Sequence, residues 1–382
     1  MKKNPNTWHT SPLTLLGGLS PETFLKEYWQ KKPLLIRGAI PDFQGLLTPN
    51  ELAGLACEDE VQSRLISFSK NQWKCEQGPF AEKRFTKLPE RDWTLLVQTL
   101  NHHMQEATDL LQAFNFIPHA RLDDLMVSYA PDGGGVGPHF DSYDVFLLQG
   151  CGQRIWRISE QEDLTLVEGA PLRILQNFKS EQEWTLSAGD MLYLPPHVAH
   201  WGVAVGDCMT YSIGFRAPSA QELAGEFLSY LQENLQMTGR YVDPDLRLQE
   251  HPAEIGDAMV KNVMSMLSDL RWDGQNVADF LGQYLTEPKH DVVFEAPAYL
   301  SEKAFAKRAL LEGIQLNFKS QLMFVNQDFY LNGEKLEIGL DASLLLGRLA
   351  DNRSLSAADL GEANAELMAL IYEWYLMAYV IF

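Results

Sequence analysis

The sequence predicts an α+β protein: an antiparallel barrel or jelly roll carried between helices, followed by a helical region and a small C-terminal module. Three observations predict it. Short β-rich runs broken by glycine fill residues 125 to 215; helical patterns stand on both sides of them; and a hairpin signal, Asn332-Gly333, lies among late helices.

Taken in order, Pro21 opens a short amphipathic helix that must stop before Pro33, and Leu34-Leu35-Ile36 reads as a buried strand. Thr48-Pro-Asn-Glu51 has the spacing of a capping box with proline in the first turn, so a helix begins there. Residues 91–116 read as helical, with Leu95, Leu96, Leu100, Leu110, Leu111 and Phe114 as apolar positions. The pattern then changes to strands at Met126-Val-Ser-Tyr-Ala130, Tyr143-Asp-Val-Phe-Leu-Leu148, Arg154-Ile-Trp-Arg-Ile158, Asp190-Met-Leu-Tyr-Leu194 and Thr210-Tyr-Ser-Ile-Gly-Phe215. Glycine turns at 132–135, 150–152, 188–190 and 206–207 separate them. Ser219 and Glu222 form a second capping-box spacing, and helices are expected over 219–235, 253–270 and 276–285. A last region from 291 has a helix at 301–312, the hairpin and terminal helices, which suits a small winged module. The expected domains are 1–216, 217–290 and 291–382.

Composition narrows the function. The formal charge is −20, carried more heavily after residue 217, which repels phosphate backbones and attracts basic partners. Direct DNA binding is therefore not expected of the winged module. Cys57, Cys75, Cys151 and Cys208 show neither Cys-x-x-Cys spacing nor a disulfide framework, which points to a reducing, cytoplasmic home. No apolar run follows the opening Met-Lys-Lys, which argues against a secretory signal. The apolar stretch 365–382 contains Glu366 and Glu373, so it is expected to be a buried or subunit-interface helix rather than a membrane span. Gly-x-Ser-x-Gly and Walker-type loops are missing, which removes the main supports for a serine hydrolase or a nucleotide-dependent enzyme.

The chemistry-bearing residues lie in the strand-rich segment. His139 and Asp141 are two apart, so on extended chain they share a face and can bind one ion. His200 supplies a third donor after the Pro195-Pro196 corner, and two histidines with one carboxylate form the facial triad of non-haem iron(II) oxygenases. His197 competes for that position; His200 is favoured because Trp201-Gly-Val-Ala-Val205 can continue as a strand. A surface histidine beside an aspartate explains His-x-Asp alone equally well. Arg154 shares a strand face with Trp156 and, if buried, needs an anion, for which a bidentate carboxylate is the best partner. Arg157 faces the other way, and Ser128 is a candidate hydroxyl for the same anion. His102 and His103 are adjacent and diverge, while His9, His119, His251 and His290 have no ligand partner at readable spacing.

These residues, with Phe24-Leu-Lys-Glu-Tyr-Trp-Gln-Lys-Lys-Pro33, Pro138-His-Phe-Asp-Ser-Tyr-Asp144, Gly189-Asp-Met-Leu-Tyr-Leu-Pro-Pro196 and Tyr211-Ser-Ile-Gly-Phe-Arg-Ala-Pro218, resemble the Jumonji C (JmjC) class of 2-oxoglutarate oxygenases. Within it they resemble the bacterial ribosomal oxygenases that hydroxylate an arginine of a large-subunit (50S) ribosomal protein. The resemblance implies a double-stranded β-helix of the cupin type, a helical dimerisation region making a homodimer, and a winged-helix-like C-terminal domain. It implies that His139, Asp141 and His200 hold Fe(II), and that Arg154 with Ser128 grips 2-oxoglutarate. It also implies that O2 is consumed and a basic ribosomal protein is the substrate. Asp132 is the expected partner of the substrate arginine. The family's Pro-Pro corner usually continues with glycine where this chain has His197. The alternatives are histidine or lysine hydroxylation of another basic protein, a cupin-type metal module without 2-oxoglutarate chemistry, and a dimeric binding module for basic proteins.

Overall fold

A computed structural model of the chain describes residues 11–289 and 292–382; His9, His290 and the expected boundary at 290 lie outside them. The first part contains helices α1 (Pro21–Glu27), α2 (Pro49–Leu55) and α3 (Gln105–Gln112) and strands β1 (Leu34–Ile36), β2 (Ser63–Ser69), β3 (Gln72–Gln77), β4 (Trp93–Val97), β5 (Leu122–Ala130), β6 (Val145–Gln149), β7 (Gln153–Ser159), β8 (Gln182–Ser187), β9 (Met191–Leu194), β10 (Ala199–Val205) and β11 (Cys208–Phe215). Eight of these form an antiparallel sheet in the order β1-β9-β6-β11-β5-β4-β2-β3, and β10-β7-β8 form a second sheet.

Strand alternation decides where the site falls. One face of the large sheet buries Leu95, Val97, Leu125, Val127, Tyr211 and Ile213 against Phe24, Leu52 and Leu111 of the flanking helices. Its other face turns Val145, Leu147, Leu192 and Leu194 toward Trp156, Ile158 and Leu186 of the small sheet. The two sheets thus close on each other as a jelly roll, and a cavity opens between them.

The expected capping boxes at Thr48 and Ser219 are both present, each with the hydroxyl accepting a backbone N–H three residues on and the glutamate returning the bond. The 91–116 segment departs from expectation. Residues 93–97 form β4, all five buried between β2 and β5, and only 105–112 is α-helix. A short run apolar on all sides reads alike as helix or central strand, and neighbours on both edges decide for strand. The β2–β3 hairpin, which no sequence signal marked, turns on Lys70 and Asn71, both at positive φ as its two-residue turn requires.

Beyond the barrel come α4 (Ala220–Asn234), α5 (Asp257–Leu267) and α6 (Gly274–Thr286), then α7 (Glu302–Glu312), β12 (Ile314–Leu316), β13 (Leu322–Val325), β14 (Asp328–Leu331), β15 (Glu334–Lys335), α8 (Ser343–Asn352), β16 (Ser354–Leu355), α9 (Ala357–Leu360), α10 (Ala365–Leu376) and β17 (Val380–Ile381). The β14–β15 hairpin turns on Asn332 and Gly333, at φ 50° and 90°. Helices α7, α8 and α10 share a core with the hairpin through Phe305, Phe329, Leu346, Leu349 and Ile371. Helix α10 buries Leu367, Ile371 and Trp374 in it. Among the described residues no helix is long and apolar enough to cross a membrane.

Candidate active site

His139 and His200 are backbone partners. The His139 N–H donates to the His200 carbonyl at 2.9 Å, and the His200 N–H returns the bond to the His139 carbonyl at 2.7 Å. This bridge continues β10 onto the extended segment after the glycine loop and sets the two rings 4.2 Å apart. Each ring is aimed by its own chain: the Nδ1–H groups donate to the carbonyls of Gly137 and Val198, both at 2.9 Å. A carbonyl only accepts, so both Nδ1 atoms carry the proton, which leaves Nε2 as the atom each ring has to offer a metal. Asp141, two residues beyond His139, brings Oδ2 to 3.6 Å from His200 Nε2, and the three donor atoms lie within 4.8 Å of one another. Burial, reinforced by His139, pushes the His200 imidazole down to about 4, so the ring is neutral and able to donate to a metal near pH 7.

The segment after Asp141 is held by Asp144, wholly buried, whose carboxylate accepts from Tyr193 Oη at 2.6 Å and Gln30 Nε2 at 2.9 Å. His197 does not join the group. It is exposed, sits at φ 67°, and its N–H donates to the Asp141 carbonyl at 2.8 Å. The left-handed backbone gives glycine a physical reason at this corner: the turn needs it, whatever the side chain.

The same cavity, about 400 Å³, is also lined by Arg154, Ser128 and Thr210. Arg154 is 4% exposed. Its Nε has no hydrogen-bond partner, and among the described residues the guanidinium forms no ion pair. Its Nη2 donates to the Cys208 sulfur at 3.6 Å. A cation removed from water without a counter-ion is costly, and a carboxylate entering here relieves that cost. Ser128 stands opposite Thr210 across β5 and β11, its hydroxyl weakly bonded to the Thr210 carbonyl at 3.5 Å. Two histidines and a carboxylate suit iron, and a buried arginine without an ion pair in the same cavity suits a carboxylate ligand.

Trp156 stands between these parts, its ring 5.9 Å from His200 and 5.8 Å from the Arg154 guanidinium. Gly202 on β10 makes room for it, since a Cβ there would lie 2.7 Å from the indole. Gly202→Ala is expected to destabilise the barrel by about 1–3 kcal/mol through overpacking, read as a lower urea midpoint with unchanged slope.

Asp132 is not brought to the cavity. Its carboxylate accepts from the Gly206 N–H at 3.1 Å and pairs with Arg91 at 3.2 Å, tying the glycine loop to the β10–β11 turn. Strand β5 ends at Ala130, and the turn beyond it rotates Asp132 out of the inward row. Besides Asp141, two acids line the cavity: Asp123, which pairs with Arg216 at 3.8 Å and Lys289 at 3.6 Å, and Asp124, inward with Met126 and Ser128 on β5. One oxygen accepts the Thr99 N–H at 2.9 Å; burial, with Asp123 beside it, pushes its carboxyl up to about 6. Gly214 lies beside that carboxylate: an added Cβ there would sit 3.5 Å from Asp124 Oδ1. Tyr143 also lines this end, with its hydroxyl toward Asp141 and its ionisation suppressed mainly by burial. Counting back by twos from Ser128 reaches Asp124, a signal present in the sequence and unused.

Comparison with known proteins agrees with this geometry. The chain matches the JmjC domain family over residues 109–223 and the ROXA-like winged helix over 269–380. It is 34% identical to the Escherichia coli ribosomal protein uL16 3-hydroxylase over 89% of this chain and 91% of that one. It is also 34% identical to a probable ribosomal oxygenase of Haemophilus influenzae, covering 90% and 89%. The structure of the E. coli ribosomal oxygenase YcfD in complex with cobalt and 2-oxoglutarate superposes with a TM-score of 0.80 at 32% identity, over 94% of this chain and 97% of that one. Near full-length similarity on top of both domain matches leads to one conclusion: this chain belongs to the JmjC-type ribosomal oxygenases.

Proposed function

We propose that the protein is an iron(II)- and 2-oxoglutarate-dependent hydroxylase of a ribosomal protein, with an arginine side chain as the residue modified. The observation that carries it is the adjacency, in one cavity, of three metal donors within 4.8 Å and a buried arginine lacking an anion. The relative named as a uL16 3-hydroxylase makes uL16 the first substrate to test.

His139, Asp141 and His200 would hold the iron through two imidazole nitrogens and one carboxylate oxygen. Arg154 and Ser128, which line the same cavity as the triad, would grip the far carboxylate of 2-oxoglutarate and so orient it there. When bound, iron and 2-oxoglutarate supply the oxidising chemistry, which consumes O2 and yields succinate, carbon dioxide and a hydroxylated carbon. Val145, Leu147 and Trp156 exclude water around the triad. Asp124 takes the place expected of Asp132: it is an acid at the cavity wall without an ion-pair partner among the described residues, suited to a substrate guanidinium.

That role carries a pH signature. Asp124 is charged above about 6 and neutral below it. Peptide kcat/KM should therefore fall as pH drops through that region, while Asp124→Asn lowers it about 10- to 100-fold and flattens the inflection. An unchanged profile in Asp124→Asn removes Asp124 from substrate binding.

The protein should also act as a homodimer in the cytoplasm. Helix α5 has no buried residue and carries Val260, Met264 and Leu267 exposed along one stripe, a face suited to a second copy. All four cysteines are free, which suits a reducing compartment. The deciding experiment for function is mass spectrometry of ribosomal proteins from cells with and without the gene. A gain of one oxygen on an arginine of uL16 is expected. A gain on histidine or lysine replaces the residue assignment, and no gain on any ribosomal protein overturns the reading.

A further inference from the structure

Arg154 is a buried cation whose direction is set by something other than a carboxylate. Its strand neighbours across β10 and β8 are Ala204 and Leu186, which offer no side-chain acceptor. Against it, and outside the cavity lining, lies Cys208, the first residue of β11 and wholly buried. Cys208 faces inward in the same row as Thr210, one step past the end of the cavity lining, and packs with Ala130 and Ala204. Its Sγ, 3.6 Å from Arg154 Nη2, is the acceptor of the one side-chain hydrogen bond that the guanidinium makes among the described residues. The thiol is itself held in place: Gly152 approaches so closely that an added Cβ would lie 2.9 Å from both the Cα and the Cβ of Cys208.

We infer that the Cys208 thiol is a positioning residue for 2-oxoglutarate, orienting the Arg154 guanidinium for the far carboxylate while leaving its charge unneutralised. The inference rests on the reading of Arg154 given above. Its physical basis is the weakness of sulfur as an acceptor. A carboxylate at this place would orient Arg154 equally well but would form an internal ion pair that 2-oxoglutarate must displace. An apolar side chain would leave the charge free but the fork unaimed, so part of its ordering would fall on the binding step. A thiol satisfies one N–H, keeps the remaining donors for the ligand, and adds no competing charge.

The test is calorimetric binding of 2-oxoglutarate to the manganese-loaded protein without oxygen, beside a manganese titration and a thermal midpoint for each variant. Cys208→Ala is expected to weaken 2-oxoglutarate about fivefold, a fraction of what a hydrogen bond to a charged group is worth. Manganese affinity should be unchanged. Cys208→Ser, which keeps an acceptor of similar size, should return the affinity to within about twofold of the parent, a recovery that a packing role alone does not provide. Cys208→Asp should bind 2-oxoglutarate at least about 100-fold more weakly, with manganese still bound. Equal affinity in Cys208→Ala and the parent, or equal weakening in the alanine and serine variants, overturns the inference. If Cys208→Ala fails to fold, the serine and aspartate variants decide: affinity unaffected by aspartate refutes it. Arg154→Ala separates the two claims. If that variant binds 2-oxoglutarate normally, the reading of Arg154 itself fails; if it does not, and the Cys208 variants do, only the present inference fails.

Discussion

His200→Ala is expected to abolish iron retention and to lower hydroxylation at least about a thousandfold, a loss of several kcal/mol at roughly 1.4 kcal/mol per tenfold. The ring is 2% exposed, its Nδ1–H is committed to Val198, and its Nε2 completes the only three-donor cluster of metal-binding geometry among the described residues. The fold should survive, because the bridge to His139 is made by backbone atoms that alanine retains. The matched control is His197, the rival in the sequence. Its φ of 67° penalises alanine, so His197→Asn is the fairer change, asparagine tolerating that conformation better. It should keep metal affinity and turnover within about twofold. Metal content after dialysis and turnover of a ribosomal peptide measure both variants. Loss of iron in His197→Asn with retention in His200→Ala would reverse the ligand assignment.

Arg154→Ala is expected to weaken 2-oxoglutarate by about 30-fold or more, since removing one partner from a buried charge pair costs about 2–5 kcal/mol. The size follows from burial: at 4% exposure, water does not substitute for the lost guanidinium. Metal affinity should stay near the parent value, because Arg154 shares no donor with the triad. Arg154→Lys should recover only part of the loss, as an ammonium cannot offer the planar fork a carboxylate accepts. Arg157 is the control on the same strand. It points outward, bonds Glu183 at 2.6 Å and lies over Trp201, so Arg157→Ala should leave cosubstrate affinity unchanged. Equal effects of the two alanine variants would mean that the strand, and not the inward charge, is being measured.

The site was legible in part because strand parity is a local property. His139 and Asp141, and Arg154 with Trp156, have their relative facing written into spacings of two. The choice of His200 over His197 was legible for a similar reason, the strand after it. Asp132 misled because its place in the glycine loop before the triad does not show which way the chain turns once β5 ends at Ala130. Asp124, at even spacing before Ser128, remains on the strand and keeps the inward face. Residues 93–97 misled because an apolar run carries no mark of its neighbours, and β4 is a strand through its pairing with β2 and β5.

By itself the sequence determined the alternating rows, the capped helices, the hairpin at Asn332-Gly333 and the kinds of donor available, since each depends on residues a few positions apart. Tertiary structure alone decided that His139 meets His200, that Arg154 has a sulfur and, among the described residues, no carboxylate beside it, and that Asp124 rather than Asp132 reaches the cavity. These depend on register between strands far apart in the chain, where a shift of one residue turns a side chain to the opposite face.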